Sequence, residues 1–196
     1  MSLMTLVNYI RLSHNMQKGV HMETIHQNVT SLLSPYVNCL GKDAPAYTHH
    51  VIRMLHYAYA LGELCADDKE KVLIAGVFHD LGIWTDNTID YLEPSEKLAS
   101  NYLKENNILK YDEDVIAMIR YHHKLLPIKN NHLAEQFRKA DLIDVSWGVM
   151  SSGIDKKMIK ELKKSFPNCG FHKRLAELTW IQFKKEPWRP MPMLKW

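Results

Sequence analysis

Disulfide chemistry has little to work with in this 196-residue chain: its three cysteines, Cys39, Cys65 and Cys169, lie far apart and form no CxxC pair. That argues against a disulfide framework or a thiolate zinc site and makes a reducing cytoplasm the expected compartment. Long apolar runs are missing too. Stretches such as 73–78 fall far short of the roughly 20 residues a membrane-spanning helix needs, and the N-terminus lacks the basic, apolar, small-residue order of a secretion signal. Charge of one sign is scarce: 25 basic against 22 acidic side chains leave a formal +3 without a concentrated basic block. Charge therefore gives no footing for a nucleic-acid partner. Strand-like alternation, internal repeats and low-complexity stretches are absent. What remains, 46% hydrophobic and 24% charged, is soluble-globular composition in a length that fits one domain.

Helical periodicity fills most of the chain. Val51, Met54, Leu55, Ala58 and Leu61 recur at helical spacing over 47–65, with Gly62 tolerated inside the helix. Asp67 or Asp68 is the expected cap of a short helix over 69–78, apolar on most sides from Val72 and hence buried. Further helices are expected from Pro94 to Asn106, over 112–121, over 133–149, over 155–165 and over 172–184, before a Pro- and Trp-containing tail. The expectation is an all-α fold, one helical domain over 1–196. Its core lies at about 47–147, with N-terminal helices over 1–46 and C-terminal helices over 148–196 as appendages.

Four polar residues fall where this pattern expects burial: His50 in the first core helix, His79 and Asp80 ending the second, and Asp141 inside the helix over 133–149. A buried carboxylate is costly unless it is paired, hydrogen-bonded or metal-bound. Two imidazoles and two carboxylates form a mixed nitrogen and oxygen set suited to a divalent transition metal, and helices can bring such residues together from distant parts of a chain.

The order His50-x-x-Arg53, His79-Asp80-Leu81-Gly82, Ala140-Asp141 resembles the H…HD…D signature of the HD domain superfamily of metal-dependent phosphohydrolases, over about residues 47–147. The resemblance implies a helical bundle in which His50, His79, Asp80 and Asp141 hold a divalent ion: manganese, iron, cobalt, nickel, zinc or magnesium. By that resemblance, the family's spacing of three from ligand His to Arg favours His50 over its neighbour His49, which lies about 100° around the helix. Arg53 either orients a carboxylate, reaches a phosphate or forms a structural ion pair.

Binuclear relatives carry a His-Pro step where this chain reads Glu93-Pro94, and a His-His pair like His122-His123. Glu93, His122 and His123 are therefore candidates for a second metal site bridged by Asp80. The favoured alternative is one metal, with the histidine pair lining the pocket or touching substrate; two exposed histidines at a helix C-terminus is the plain structural reading. Some mononuclear nucleotidases place a catalytic Glu where this chain has Ile83, leaving Asp86 and Asp90 as substitute acids or simple turn formers. Trp84 and Tyr91 either stack on a base or sugar or pack in the core. Asp144 shares a face with Asp141 and is expected to orient a ligand histidine or Arg53.

Together these features lead to an expected hydrolase that attacks a small phosphoester, such as a nucleotide, with a metal-activated water, using Arg53, Lys124 and His122-His123 to neutralise the substrate. The alternatives are a hydration of a small neutral substrate, as in cyanamide-hydratase-like members, and a non-catalytic HD module that binds a ligand. A homo-oligomer is open, with Trp188 and Trp196 as contact candidates.

Overall fold

Apolar side chains at helical spacing dictate which faces turn inward, and the computed structural model, which describes residues 23–194, follows that pattern. A helix over 23–33 (α1) inserts Ile25, Val29 and Leu33 into the main core. After short turns comes α2 (Ala44–Ala60), buried along most of its length. It starts before the expected residue 47 because Pro45 occupies its first turn, where a missing N–H costs nothing. It stops at Ala60, before the expected residue 65, and Gly62 lies in the bend that leads to Cys65, the cap of the next helix.

That helix is α3 (Ala66–Phe78), whose first free N–H groups are met by the Cys65 thiol accepting from the Asp68 N–H at 3.4 Å. Asp67 and Asp68, expected as caps, instead sit in the first turn, where negative charge suits the helix dipole. A single helical turn, Gly82–Thr85, follows the His-Asp step. Next come α4 (Leu92–Glu105) with Pro94 in its first turn, α5 (Asp112–Tyr121) with the expected bounds, and α6 (His132–Val145). The end of α6 precedes the expected residue 149 because Trp147 and Gly148 adopt positive φ of 57° and 75°. Asp155 caps α7 (Lys156–Ser165), and Gly170, at φ 92°, leads into α8 (Phe171–Lys185). Among the described residues there is no strand, and the fold is all-α.

At the centre, α2 packs on α3 and α6, and α5 lies against α3, α4 and α6. Val51, Leu55, Val77, Phe78, Ile119 and Phe137 are fully buried there, each worth about 1.5–3 kcal/mol over exposure. The three cysteines are free and exposed. No helix among the described residues is long and apolar enough to cross a membrane. Trp188 is exposed; Trp196, His14 and His21 lie outside the described residues.

Candidate metal centre

One turn of α2 supplies both His50 and the residue that positions its partners. Tyr47, buried three residues earlier, donates its hydroxyl to the Val77 carbonyl at 2.9 Å and accepts the Asp80 N–H at 3.3 Å. It thereby satisfies the frayed end of α3 just where His79 and Asp80 leave the helix. Gly82 permits the next bend: a Cβ there would lie 2.7 Å from the Tyr91 carbonyl oxygen and 2.9 Å from Pro94 Cβ. Its N–H donates to Ser95 Oγ at 3.0 Å, tying the His-Asp turn to α4.

From these elements the side chains of His50, His79, Asp80 and Asp141 converge, all nearly or fully buried. His50 Nε2 lies 3.1 Å from His79 Nε2, 3.5 Å from Asp141 Oδ1 and 3.9 Å from Asp80 Oδ2. His79 Nε2 is 3.3 Å from Asp80 Oδ2. His122 joins from the end of α5, its Nε2 3.3 Å from the other Asp80 oxygen.

The outward nitrogens fix the tautomers. His79 Nδ1 donates to the Gly76 carbonyl at 2.8 Å and His122 Nδ1 to the Ile119 carbonyl at 2.6 Å. His50 Nδ1 donates to Asp144 Oδ2 at 2.8 Å. In neutral imidazoles this leaves three bare Nε2 lone pairs facing two carboxylates. Asp80 Oδ1, Asp141 Oδ1 and His122 Nε2 are buried there without a hydrogen bond. Such groups are expensive to bury without a partner. Histidines whose second nitrogen donates to a carbonyl or carboxylate are the usual way a chain presents imidazole to a metal. Donors about 2.0–2.2 Å from one ion stand roughly 3–4 Å apart, so the donor set fits a divalent cation.

Electrostatics agree. Burial holds His50 below its ordinary value against the pull of Asp144. Burial also drives Asp141 up to about 7, with the charges of Asp80 and Asp144 adding to it. Burial would raise Asp80 as well, but positive charge and N–H donation from His79 and His122 in their protonated forms outweigh it and carry Asp80 well below the usual carboxylate range; beside neutral imidazoles that compensating charge has to come from a cation.

Arg53 is turned away from this cluster. Its Nε and Nη2 form a fork to Asp144 at 2.7 Å each, and Nη1 donates to the Phe166 carbonyl at 2.8 Å. Asp144 thus orients both His50 and Arg53, and these bonds lower its pKa to about 2 against the effect of burial. His49 Nδ1 lies 2.8 Å from the Pro167 carbonyl, outside the cluster. Glu93 is exposed in the first turn of α4 and in none of the ligand groups among the described residues, whereas His122 and His123 form one with Asp141. Asp86 is exposed and accepts from the Thr85 hydroxyl at 2.7 Å; Asp90 pairs with Arg189 at 3.2 Å. Trp84 donates to Asp43 at 3.0 Å and packs on Tyr47. Tyr91 is buried, its hydroxyl against His123 Nε2.

Above the cluster opens a cavity of about 450 Å³, reached by Asp80, Asp141, His122, His123 and Lys124. Sequence reasoning missed two of its features. Arg138 lines it, with Nε and Nη2 each 2.8 Å from Glu135; lying one helical turn before Asp141, it could have been found by phase. The other is its far wall, made by α8 and the tail, which looks like any amphipathic helix in sequence.

No curated protein and no solved structure gives a significant match to the chain. A family model does: that of the HD domain matches residues 47–164, from Tyr47 through the four converging side chains into α7, and the chain belongs to the HD domain family.

Proposed function

We propose that the chain is a metal-dependent phosphohydrolase acting on a small phosphoester, with one divalent ion held by His50, His79, Asp80 and Asp141. The observation that carries this reading is the inward set of unprotonated acceptors, each imidazole locked by a donor bond on its far side. A divalent ion supplies Lewis acidity toward a phosphoryl oxygen and acidifies a coordinated water.

The chain's own residues do the rest. Asp144 accepts the His50 Nδ1 proton and keeps Nε2 free for the ion, while Arg53 acts through Asp144 as a positioning residue. Lys124 and Arg138 line the cavity, and the N–H groups of theirs not taken by Glu135 and the Lys124 carbonyl are the donors we assign to anionic oxygens of the substrate. His122 and His123 line the same side. Asp86 takes no part, because its exposed carboxylate belongs to a turn.

Metal content per chain, measured by elemental mass spectrometry on protein purified without chelators and followed by assay on phosphomonoesters, tests the reading. The expected result is a ratio near one with turnover. A ratio near two brings His122 and His123 into the ligand set. A ratio that stays near zero after incubation with manganese, iron, cobalt, nickel and zinc overturns the proposal and leaves a ligand-binding module. A loaded centre that cleaves no phosphoester and hydrates a small nitrile overturns the phosphohydrolase in favour of hydration.

A further inference from the structure

The cavity above the metal centre is polar at one end and apolar through its body. Lys124, which follows the His122-His123 pair, and Arg138, one turn before Asp141, line its polar end, with the Lys124 ammonium 5.9 Å from the Tyr121 ring centroid and the Arg138 guanidinium forked onto Glu135. Beyond them the bundle contributes Ile83, Ile89, Leu142 and Val145. The opposite wall comes from Leu175 and Leu178 of α8 and from Met193 of the tail, and the tail's Met193 packs with Ile83, Ile89, Tyr91 and Leu92 in a second apolar cluster.

Leu125, Met150 and Met191 line the cavity yet are 48%, 52% and 37% exposed, so its mouth is apolar as well. A volume of about 450 Å³ is the size of a small-molecule pocket. Away from the cationic end, the described lining residues offer hydroxyls only at Tyr91 and Thr179, and no carboxamide. The Tyr91 hydroxyl is already engaged by His123, and the Trp84 ring lies outside the cavity. A ribose or a base edge buried here would give up its water without protein partners, which is unfavourable; an apolar body would lose nothing and gain burial.

We infer that the substrate is an amphiphile: a phosphomonoester of an apolar alcohol, whose phosphate sits by Lys124 and Arg138 and whose apolar body lies between α6 and α8. This rests on the hydrolytic reading for its reaction and on the cavity alone for its selectivity. The step is hydrolysis: the oxygen of water bonds to phosphorus, the ester P–O bond breaks, and the departing alkoxide oxygen takes a proton from that water. The products are the free alcohol and inorganic phosphate.

Phosphonates, which are not cleaved, separate binding from turnover. With the full chain loaded with manganese, calorimetric titration is expected to show hexylphosphonate binding about tenfold or more tighter than 2-hydroxyethylphosphonate. It should also bind tighter than adenosine monophosphate. Leu178→Asp should remove most of that preference, with the milder Leu178→Thr removing part of it. Ile181→Asp, at a 59% exposed position of α8 outside the cavity, should leave it intact. Circular dichroism checks that each variant keeps its helices. Equal or tighter binding of adenosine monophosphate or of 2-hydroxyethylphosphonate overturns the inference, as does an unchanged preference in folded Leu178→Asp and Leu178→Thr. A hexyl preference without turnover of hexyl phosphate refutes the hydrolytic reading and leaves the selectivity standing. Turnover of phosphoesters without the preference does the reverse.

Discussion

The floor and the roof of the cavity differ in what fixes each side chain. On the floor, the three clustered histidines are held from behind: His50 by Asp144, His79 by the Gly76 carbonyl, His122 by the Ile119 carbonyl. Asp144 is itself clamped by the Arg53 fork, and Phe171 stacks on His50 with ring centroids 4.1 Å apart. On the roof, Leu175, Leu178 and Met193 are held by apolar packing, and Met191 and Met150 remain partly exposed. Directional bonds specify one geometry, whereas apolar contacts tolerate several of similar volume. Such a floor suits an ion held at fixed distances, as proposed above, and such a roof suits a body of approximate shape.

The sharpest way to break this contrast is at the floor. Asp80→Ala removes the carboxylate whose two oxygens face His79 and His122. Metal retention measured by elemental analysis and turnover should both fall to background, while the roof's apolar selectivity has no reason to change. Full activity in Asp80→Ala would sink the assignment of the floor. Next in size is Asp144→Asn, which takes one partner from the buried Arg53 and disturbs the tautomer of His50. Metal affinity should drop about 10–100-fold. Denaturant unfolding should show a loss on the order of 3–5 kcal/mol, the usual consequence of leaving one member of a buried pair behind. A variant that lost stability but kept metal affinity would show that Asp144 serves Arg53 alone.

The floor was legible in sequence and the roof was not, for the same reason. His and Asp at helical positions that call for burial are conspicuous, so residue type and helix phase mark His50, His79, Asp80 and Asp141 in the sequence, while the choice of His50 over His49 takes the family's spacing to Arg53. The i to i+3 step from His50 to Arg53 also placed both on one face of α2, but phase could not say whether Arg53 reached substrate or Asp144. Glu93 shows the limit of position by analogy: it occupies the place of a ligand histidine, yet on α4 the neighbours Leu92 and Ser95 turn inward and Glu93 faces out. In the roof, Leu175 and Leu178 belong to an amphipathic helix, and an apolar helix face carries no mark of whether it meets protein or ligand. Arg138 was overlooked because a lone arginine on a helix is usually solvent-facing.

A smaller perturbation probes the joint between the His-Asp turn and α4. In Gly82→Ala the new methyl would meet backbone at Tyr91 and Ser95 as well as Pro94, at 2.7–3.0 Å, so the turn itself must shift. Overpacking of this kind costs about 1–3 kcal/mol. The melting temperature should fall, and metal affinity should fall with it, since Asp80 lies two residues away. Unchanged affinity in a destabilised protein would mean that the floor keeps its geometry independently of α4.

The smallest expected effect distinguishes the cavity wall from the floor by pH. Glu135 grips Arg138 through two bonds of 2.8 Å and accepts the Ile128 N–H at 2.9 Å. The Arg138 fork, opposed by some burial, lowers its pKa from 4.5 to about 2. A carboxylate depressed on folding contributes stability that is fully present above its unfolded value, here 4.5, and that disappears as the pH falls toward 2. Glu135→Gln should therefore lower stability slightly at neutral pH and flatten the acid limb of the stability curve between about pH 4.5 and 2. Asp144, with a pKa of about 2 and buried, should still impose its own acid limb in that variant. If Glu135→Gln left the acid limb unchanged, the Arg138 fork would be contributing nothing to the folded state. If it abolished the limb altogether, the floor would be drawing its acid sensitivity from the wall, and the two regions would be one cooperative unit.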